Sequence, residues 1–147
     1  MIFIIFIGSD HGGFELKGYL KDFLELKKFS VSDEGVYEPA AVDYPDIAKY
    51  VCHKVIAHPG SLGVLICGTG IGVSMAANKI KGIRAALCGD IYSARMAAVH
   101  NNANVICLGE RVISKHMACE ILEAFLSAEF EGGRHLNRIS KIHRLEV

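Results

Sequence analysis

At 147 residues the chain is long enough to bury one sizeable core and too short to suggest two domains. Sixteen Lys and Arg balance sixteen Asp and Glu, so no bulk charge argues for nucleic acid or an anionic membrane surface as a partner. Apolar residues make up 51% of the chain, yet no apolar run approaches the length of a membrane span. The apolar start, Met1 to Ile7, is short, has no basic residue before it, and runs into Gly8-Ser9-Asp10-His11, a poor signal-peptide ending. A cytoplasmic protein is expected. The five cysteines (Cys52, Cys67, Cys88, Cys107 and Cys119) are odd in number and include no C-x-x-C pair, so neither a disulfide framework nor a zinc site is suggested.

Ile2 to Ser9 has the continuous apolar character of a strand buried on both faces, and Asp10-His11-Gly12-Gly13 is the loop after it. From Phe14 to Phe29, Leu16, Leu20, Phe23 and Leu24 share one helical face while Lys17, Lys21, Glu25 and Lys28 fall elsewhere. Ser30 to Asp33 reads as a short second strand. Asp43-Tyr44-Pro45-Asp46 opens a helix, with Pro45 in a permitted first-turn position, and that helix ends near His58-Pro59-Gly60. An apolar run from Leu62 makes a third strand, which ends on Cys67 and passes into Gly68-Thr69-Gly70-Ile71-Gly72; Val73 to Lys79 reads as the next helix. Arg84 to Cys88 makes a fourth strand, Asp90 caps a helix running to about His100, and Val105 to Leu108 makes a fifth. Ser114 to Ala128 is amphipathic, with Met117, Ile121, Leu122 and Phe125 inward. The last stretch, Glu131 to Arg138, carries new charge and reads as a tail leaving the globule.

Strands alternating with helices predict an α/β fold, a three-layer αβα sandwich with a Rossmann-like five-stranded parallel sheet and a C-terminal helical tail, all in one domain. Right-handed crossovers place the C-terminal ends of the strands on one edge, where open α/β sheets bind ligands. The residues that follow strands are therefore the candidates: Asp10 and His11, Cys67 to Gly72, Asp90, and Gly109-Glu110-Arg111. A strand order of 2-1-3-4-5 is compatible with these elements, and the sequence does not choose among orders.

Three glycines between Gly68 and Gly72, set between a strand and a helix, let the backbone turn tightly and aim several N–H groups at one point. A cysteine phosphatase loop needs an arginine six positions after its cysteine, and Val73 stands there. A P-loop needs Gly-Lys-Ser or Gly-Lys-Thr at the helix start, which is absent. The dinucleotide fingerprint G-x-G-x-x-G differs from the G-x-G-x-G found here, although Asp90 lies at a distance suited to a ribose. A thiol beside a helix N-terminus has its thiolate favoured, so Cys67 can take a proton or attack as a nucleophile, with loop amides stabilising charge on a substrate oxygen. The plainer alternative for Cys67 is one more buried strand cysteine, as expected for the other four. His100, at a helix C-terminus, is either a favourable charge or a reacting group. Arg134 and Arg138, four apart, would share a helical face as an anion clamp, against the alternative of a solvated basic tail.

Taken together, Gly8-Ser9-Asp10-His11-Gly12-Gly13, Asp43-Tyr44-Pro45 and Ile66-Cys67-Gly68-Thr69-Gly70-Ile71-Gly72 resemble the type B ribose-5-phosphate isomerases. Ala76-Ala77-Asn78-Lys79, Gly82-Ile83-Arg84-Ala85, His100-Asn101 and Glu131-Gly132-Gly133-Arg134-His135 extend the pattern over nearly the whole chain. The resemblance implies interconversion of ribose 5-phosphate and ribulose 5-phosphate through a cis-enediolate, with no metal or other cofactor. It implies that Cys67 moves the proton between C1 and C2, and that Thr69 and the amides of Gly68, Gly70, Ile71 and Gly72, with Ser74 nearby, hold the enediolate. His100, helped by Asp10, would open the sugar ring. His11, Arg134 and Arg138 would hold phosphate, with Arg111 as a third arginine, and Asp43, Tyr44 and Asn101 would line the sugar. A homodimer or dimer of dimers is implied, with the tail from about residue 130 completing a partner's site. A second branch of the family places a glutamate in the glycine loop and lacks the cysteine; Val73 stands at that position here. Hexose 6-phosphates remain an alternative substrate class, and a non-catalytic phospho-ligand sensor an alternative function.

Overall fold

The computed structural model describes residues 3–147, so the expected first strand residue, Ile2, lies outside the described part. Along each central strand, alternate side chains point to opposite faces of the sheet, and both sets are apolar. In β1 (Ile4–Ser9), Ile5 and Ile7 face one side and Phe6 the other; in β3 (Leu62–Cys67), Val64 and Ile66 oppose Leu65 and Cys67. In β5 (Val105–Gly109), Ile106 and Leu108 oppose Val105 and Cys107. A sheet apolar on both faces must be covered on both. α1 (Phe14–Leu26), α4 (Ile91–Val99) and α5 (Lys115–Ser127) cover the first face, with Leu16, Leu20, Leu24, Ala94, Ala97, Ile121, Leu122 and Phe125 inward. α2 (Tyr44–Ala57) and α3 (Ile71–Ala77) cover the second through Ile47, Ala48, Val51, Val55, Val73 and Ala77. The expected three-layer sandwich follows.

Every pairing is parallel, and β2 (Ser30–Asp33) and β4 (Ala85–Leu87) form the edges of the order β2-β1-β3-β5-β4. The order 2-1-3-4-5 considered above is thereby corrected. β5 is buried at all five positions and takes the inner place beside β3, whereas the three residues of β4 are partly or fully exposed and suit an edge. Burial of their thiols fits Cys52, Cys88, Cys107 and Cys119 as core residues. It pushes Cys52 up to about 12 and, helped by nearby Asp90, Cys88 up to about 11.

The C-terminal stretch corrects a second expectation, because residues 131–138 do not leave the globule. The Glu131 N–H donates to the Val99 carbonyl at 3.0 Å, and His135 is buried. α6 (Arg134–His143) then returns along the body, where Arg84 Nη1 meets His143 Nε2 at 3.0 Å. Beyond it, the Glu146 carboxylate accepts from the Gly82 N–H and lies 2.8 Å from His143 Nδ1. The outer side of this segment exposes Leu136, Ile142 and Leu145.

Two glycines set limits on the strand ends. Gly70 holds φ at +79°, a left-handed conformation that begins α3, and a Cβ there would lie 2.9 Å from the Leu108 carbonyl carbon. A Cβ on Gly109 would come within 2.5 Å of the Thr69 backbone. Gly109→Ala should therefore destabilise the fold by about 1–3 kcal/mol in urea unfolding, whereas Gly18→Ala should stabilise it by about 0.5–1 kcal/mol. Gly18 lies within α1 with nothing among the described residues near its missing Cβ, so equal effects at the two positions would refute the steric reading of Gly109. The bonds from Gly82 and His143 hold the Glu146 carboxyl below its ordinary value, so the stabilisation they give is present above that value and is lost as pH falls through the lower folded one. In hydrogen exchange, amides of residues 139–147 should lose protection on acidification below about pH 4.5, and Glu146→Gln should show that loss already at neutral pH.

Candidate functional site

Parallel register carries the ends of β1, β3 and β5 to one edge, with Ser9 opposite Ile66 and Cys67 opposite Gly109. Asp10 directly follows β1 and is buried, and its Oδ1 accepts from the Gly12 N–H at 2.9 Å. That bond folds the first loop back on itself, and a Cβ on Gly12 would lie only 3.3 Å from the Gly68 nitrogen. Asp10 and the glycine loop are therefore neighbours. His11 is exposed, and its Nδ1 accepts from the Val42 N–H at 3.4 Å, which ties this loop to the segment entering α2.

Cys67 is 5% exposed, and its Sγ accepts the Gly70 N–H at 3.1 Å, so a loop amide points at the sulfur itself. Thr69 is exposed at the loop tip, and its Oγ1 accepts from the Ile71 N–H at 3.2 Å. Ser74, half-buried, turns its hydroxyl back and donates to the Ile71 carbonyl at 2.7 Å. From the end of β5, the Glu110 N–H donates to the Cys67 carbonyl and the Arg111 N–H to the Gly68 carbonyl, each at 3.0 Å. The Arg111 guanidinium lies over Gly68, since a Cβ there would stand 3.3 Å from Nη1. On the other side the Tyr44 ring lies against Gly72, where a Cβ would meet Cε1 at 2.6 Å. Any side chain at Gly68 or Gly72 would displace one of these two residues. Asp43 caps α2 through its backbone and makes no side-chain cap bond, which leaves its exposed carboxylate unused by the helix. The edge thus gathers a buried thiol, a carboxylate, an arginine, a phenol, a histidine and a turn rich in N–H groups. Asp90, weighed above as a ribose ligand, caps α4 instead, accepting from the Ser93 N–H at 2.7 Å and hydroxyl at 2.9 Å.

The other expected residues lie elsewhere in the same chain. α4 runs back from the strand ends, so His100 and Asn101 follow it at the edge where strands begin, near Asn104, whose carbonyl accepts from the Gly63 N–H. Strand rise is about 3.3 Å per residue, which makes the six residues from Leu62 to Cys67 a separation of about 16 Å. His100 stacks on His135, with ring centroids 4.4 Å apart and planes within 18°. Arg134 and Arg138, on the exposed side of α6, belong to this second cluster. Burial, then His100 and Arg134, push the pKa of His135 below its ordinary value, partly opposed by Glu131. Sequence reasoning gave Glu131 and His135 no role of their own, because they lie far along the chain from His100 and only the return of the C-terminal segment joins them.

The chain matches the family model described as Ribose/Galactose Isomerase over residues 5–142. Ribose-5-phosphate isomerase B from Thermotoga maritima superposes with a TM-score of 0.95 at 47% identity, covering 97% of this chain and 99% of that one. The enzyme from Mycoplasma genitalium, solved with bound ribulose 5-phosphate, gives 0.94 at 49% identity, covering 98% and 96%. The D-erythrulose-4-phosphate isomerase of Pectobacterium atrosepticum is 45% identical over 140 residues, 94% of this chain and 91% of that protein. With matches that run almost end to end, the chain belongs to the ribose/galactose isomerase family, as its resemblance to the type B ribose-5-phosphate isomerases implied.

Proposed function

We propose that the protein interconverts ribose 5-phosphate and ribulose 5-phosphate, with Cys67 as the base. The observation that carries this is the Cys67 sulfur at the rim of the glycine loop, with an amide donated to it and Asp10, Tyr44 and Arg111 packed around that loop. A carbon acid needs a base beside the reacting carbons and donors where negative charge develops. In the direction of ketose formation, the Cys67 thiolate removes the proton from C2 of the open-chain aldose. Charge passes to O1, the cis-enediolate is held by loop amides and Thr69, the proton of the C2 hydroxyl moves to O1, and the Cys67 thiol returns its proton to C1 as the C2–O bond becomes the carbonyl. The product is an isomer, so no external oxidant or reductant enters. Tyr44 and Asp43 suit the sugar hydroxyls. His11, Arg111, Arg134 and Arg138 suit the phosphate, whose binding energy holds C1 and C2 at the base.

Because His100, Asn101, Arg134 and Arg138 lie a sheet's length from Cys67, this reading needs a second copy of the chain. His100 and the two arginines of one subunit would meet the glycine loop of another, where His100 opens the sugar ring with help from Asp10. A dimer with two such shared sites is the smallest closed arrangement. The erythrulose-4-phosphate activity named for one relative favours a second substrate reading, a sugar phosphate one carbon shorter. A phospho-ligand sensor on the same scaffold would need neither the thiol nor His100.

Cys67→Ala should lower kcat for ribose 5-phosphate by at least about a thousandfold, within the range for loss of a positioned base, while phosphate still binds. Retained turnover would overturn the base assignment, and a higher kcat/KM for erythrulose 4-phosphate in the unmodified enzyme would move the substrate. Refolding Cys67→Ala together with His100→Ala provides the test of sharing. Random pairing makes half the dimers mixed, each with one intact site of two, so activity should recover to about a quarter of the unmodified level. If both residues acted within one chain, the mixture would remain as inactive as its parents.

A further inference from the structure

We infer that His100, Glu131 and His135 form a binding site for a late first-row divalent cation such as Zn²⁺, and that its occupancy takes His100 out of the shared site. Nothing in the isomerisation uses Glu131 or His135, yet the backbone brings them together with care. Gly132 and Gly133 both hold positive φ (+71° and +57°), turning the chain so that Glu131 and His135, in the first turn of α6, face one another. The Glu131 N–H to the Val99 carbonyl and the His135 N–H to the Gly132 carbonyl fix that turn against the end of α4.

One donor atom from each of the three side chains lies within 4.8 Å of the other two. Two imidazoles and one carboxylate are a donor set that zinc accepts, with a fourth position left for water. Bonds of about 2.0–2.1 Å in tetrahedral geometry put donors roughly 3.4 Å apart. Glu131 Oε1 and His135 Nε2 already stand at 3.7 Å, and rotation of the His100 ring out of its stack on His135 brings both imidazole lone pairs onto one ion and closes the site. The observation that points to a ligand is His135 Nε2 itself. The side chain is 6% exposed and this nitrogen has no hydrogen-bond partner among the described residues, although buried polar atoms are nearly always satisfied. At 3.7 Å the Glu131 oxygen is too far to serve as that partner but well placed to share a cation with it. Nearby Arg134 and Arg138 oppose a second positive charge, so affinity must come from coordination, which favours nitrogen-binding cations over Mg²⁺ or Ca²⁺.

The test uses the full-length protein and two probes. Co²⁺ titration should give the visible spectrum of a tetrahedral nitrogen–oxygen site at one equivalent per chain, without a thiolate charge-transfer band. Competition with a chromophoric chelator should show Zn²⁺ held at least about tenfold more weakly by Glu131→Gln and by His135→Gln, the lower end of what altered metal surroundings cost, and unchanged in Cys67→Ser. Glu131→Gln alters an exposed side chain, so a folding failure at His135 leaves the test intact. Equal affinity in Glu131→Gln, thiolate absorption, or no binding at micromolar Zn²⁺ would each overturn the site. The inhibitory half rests on the reading of His100 as a reacting residue. Zn²⁺ should inhibit isomerisation reversibly, chelator restoring it, with at least about a tenfold weaker effect on Glu131→Gln. Binding without inhibition would overturn this half and the role of His100 while leaving the metal site standing.

Discussion

Parallel pairing of β1, β3 and β5 is the constraint on which the site depends. Their register sets Ser9 beside Ile66 and Cys67 beside Gly109, so three loops leave the sheet within touching distance. At Gly109 the β5 end comes so near Thr69 that no Cβ fits, and at Gly12 the β1 loop reaches the Gly68 amide. A one-residue slip in any of these strands would turn every side chain to the opposite helix layer and break the packing on both faces at once. The core therefore fixes the position of Cys67 more firmly than any contact made by the loop itself.

The same architecture explains why, under the proposed reading, one chain presents only part of the site. A helix that crosses back over a parallel sheet ends at the edge where the strands begin, and α4 delivers His100 there. The C-terminal segment docks at that end too, through Val99, Arg84 and Gly82, and holds His135 against His100. One edge carries the thiol and its amides, and the other carries histidines and arginines. Joining them takes a second subunit, which makes assembly a condition of the proposed chemistry. It also makes the histidine cluster a place where a bound cation reaches the reaction without touching the glycine loop.

Much of this was legible in the sequence. Continuous apolar runs marked β1, β3, β4 and β5 to within two residues, and Asp90 was legible as a helix cap, a role its bond from the Ser93 N–H bears out. The glycine loop and its cysteine could be found by spacing, because a strand, a turn and a helix in succession are local events. Strand order could not. The apolar runs of β4 and β5 look alike on paper, and burial of all five positions of β5 against the exposure of β4 is a property of the packed sheet.

What the sequence by itself determined is therefore the local grammar: five strands, the helices between them, and the residues standing at each strand end. The family resemblance carried by its motifs belongs with these, because backbone conformation and turn chemistry act between near neighbours. Only the tertiary structure decided that β5 lies inside β4, that the C-terminal segment folds back, and that His100 and Cys67 occupy opposite ends of the sheet. Those outcomes depend on contacts between residues tens of positions apart, such as Glu146 with Gly82 and His135 with His100. Such contacts leave no periodic trace in the chain, because they are selected by how the whole apolar surface is buried at once.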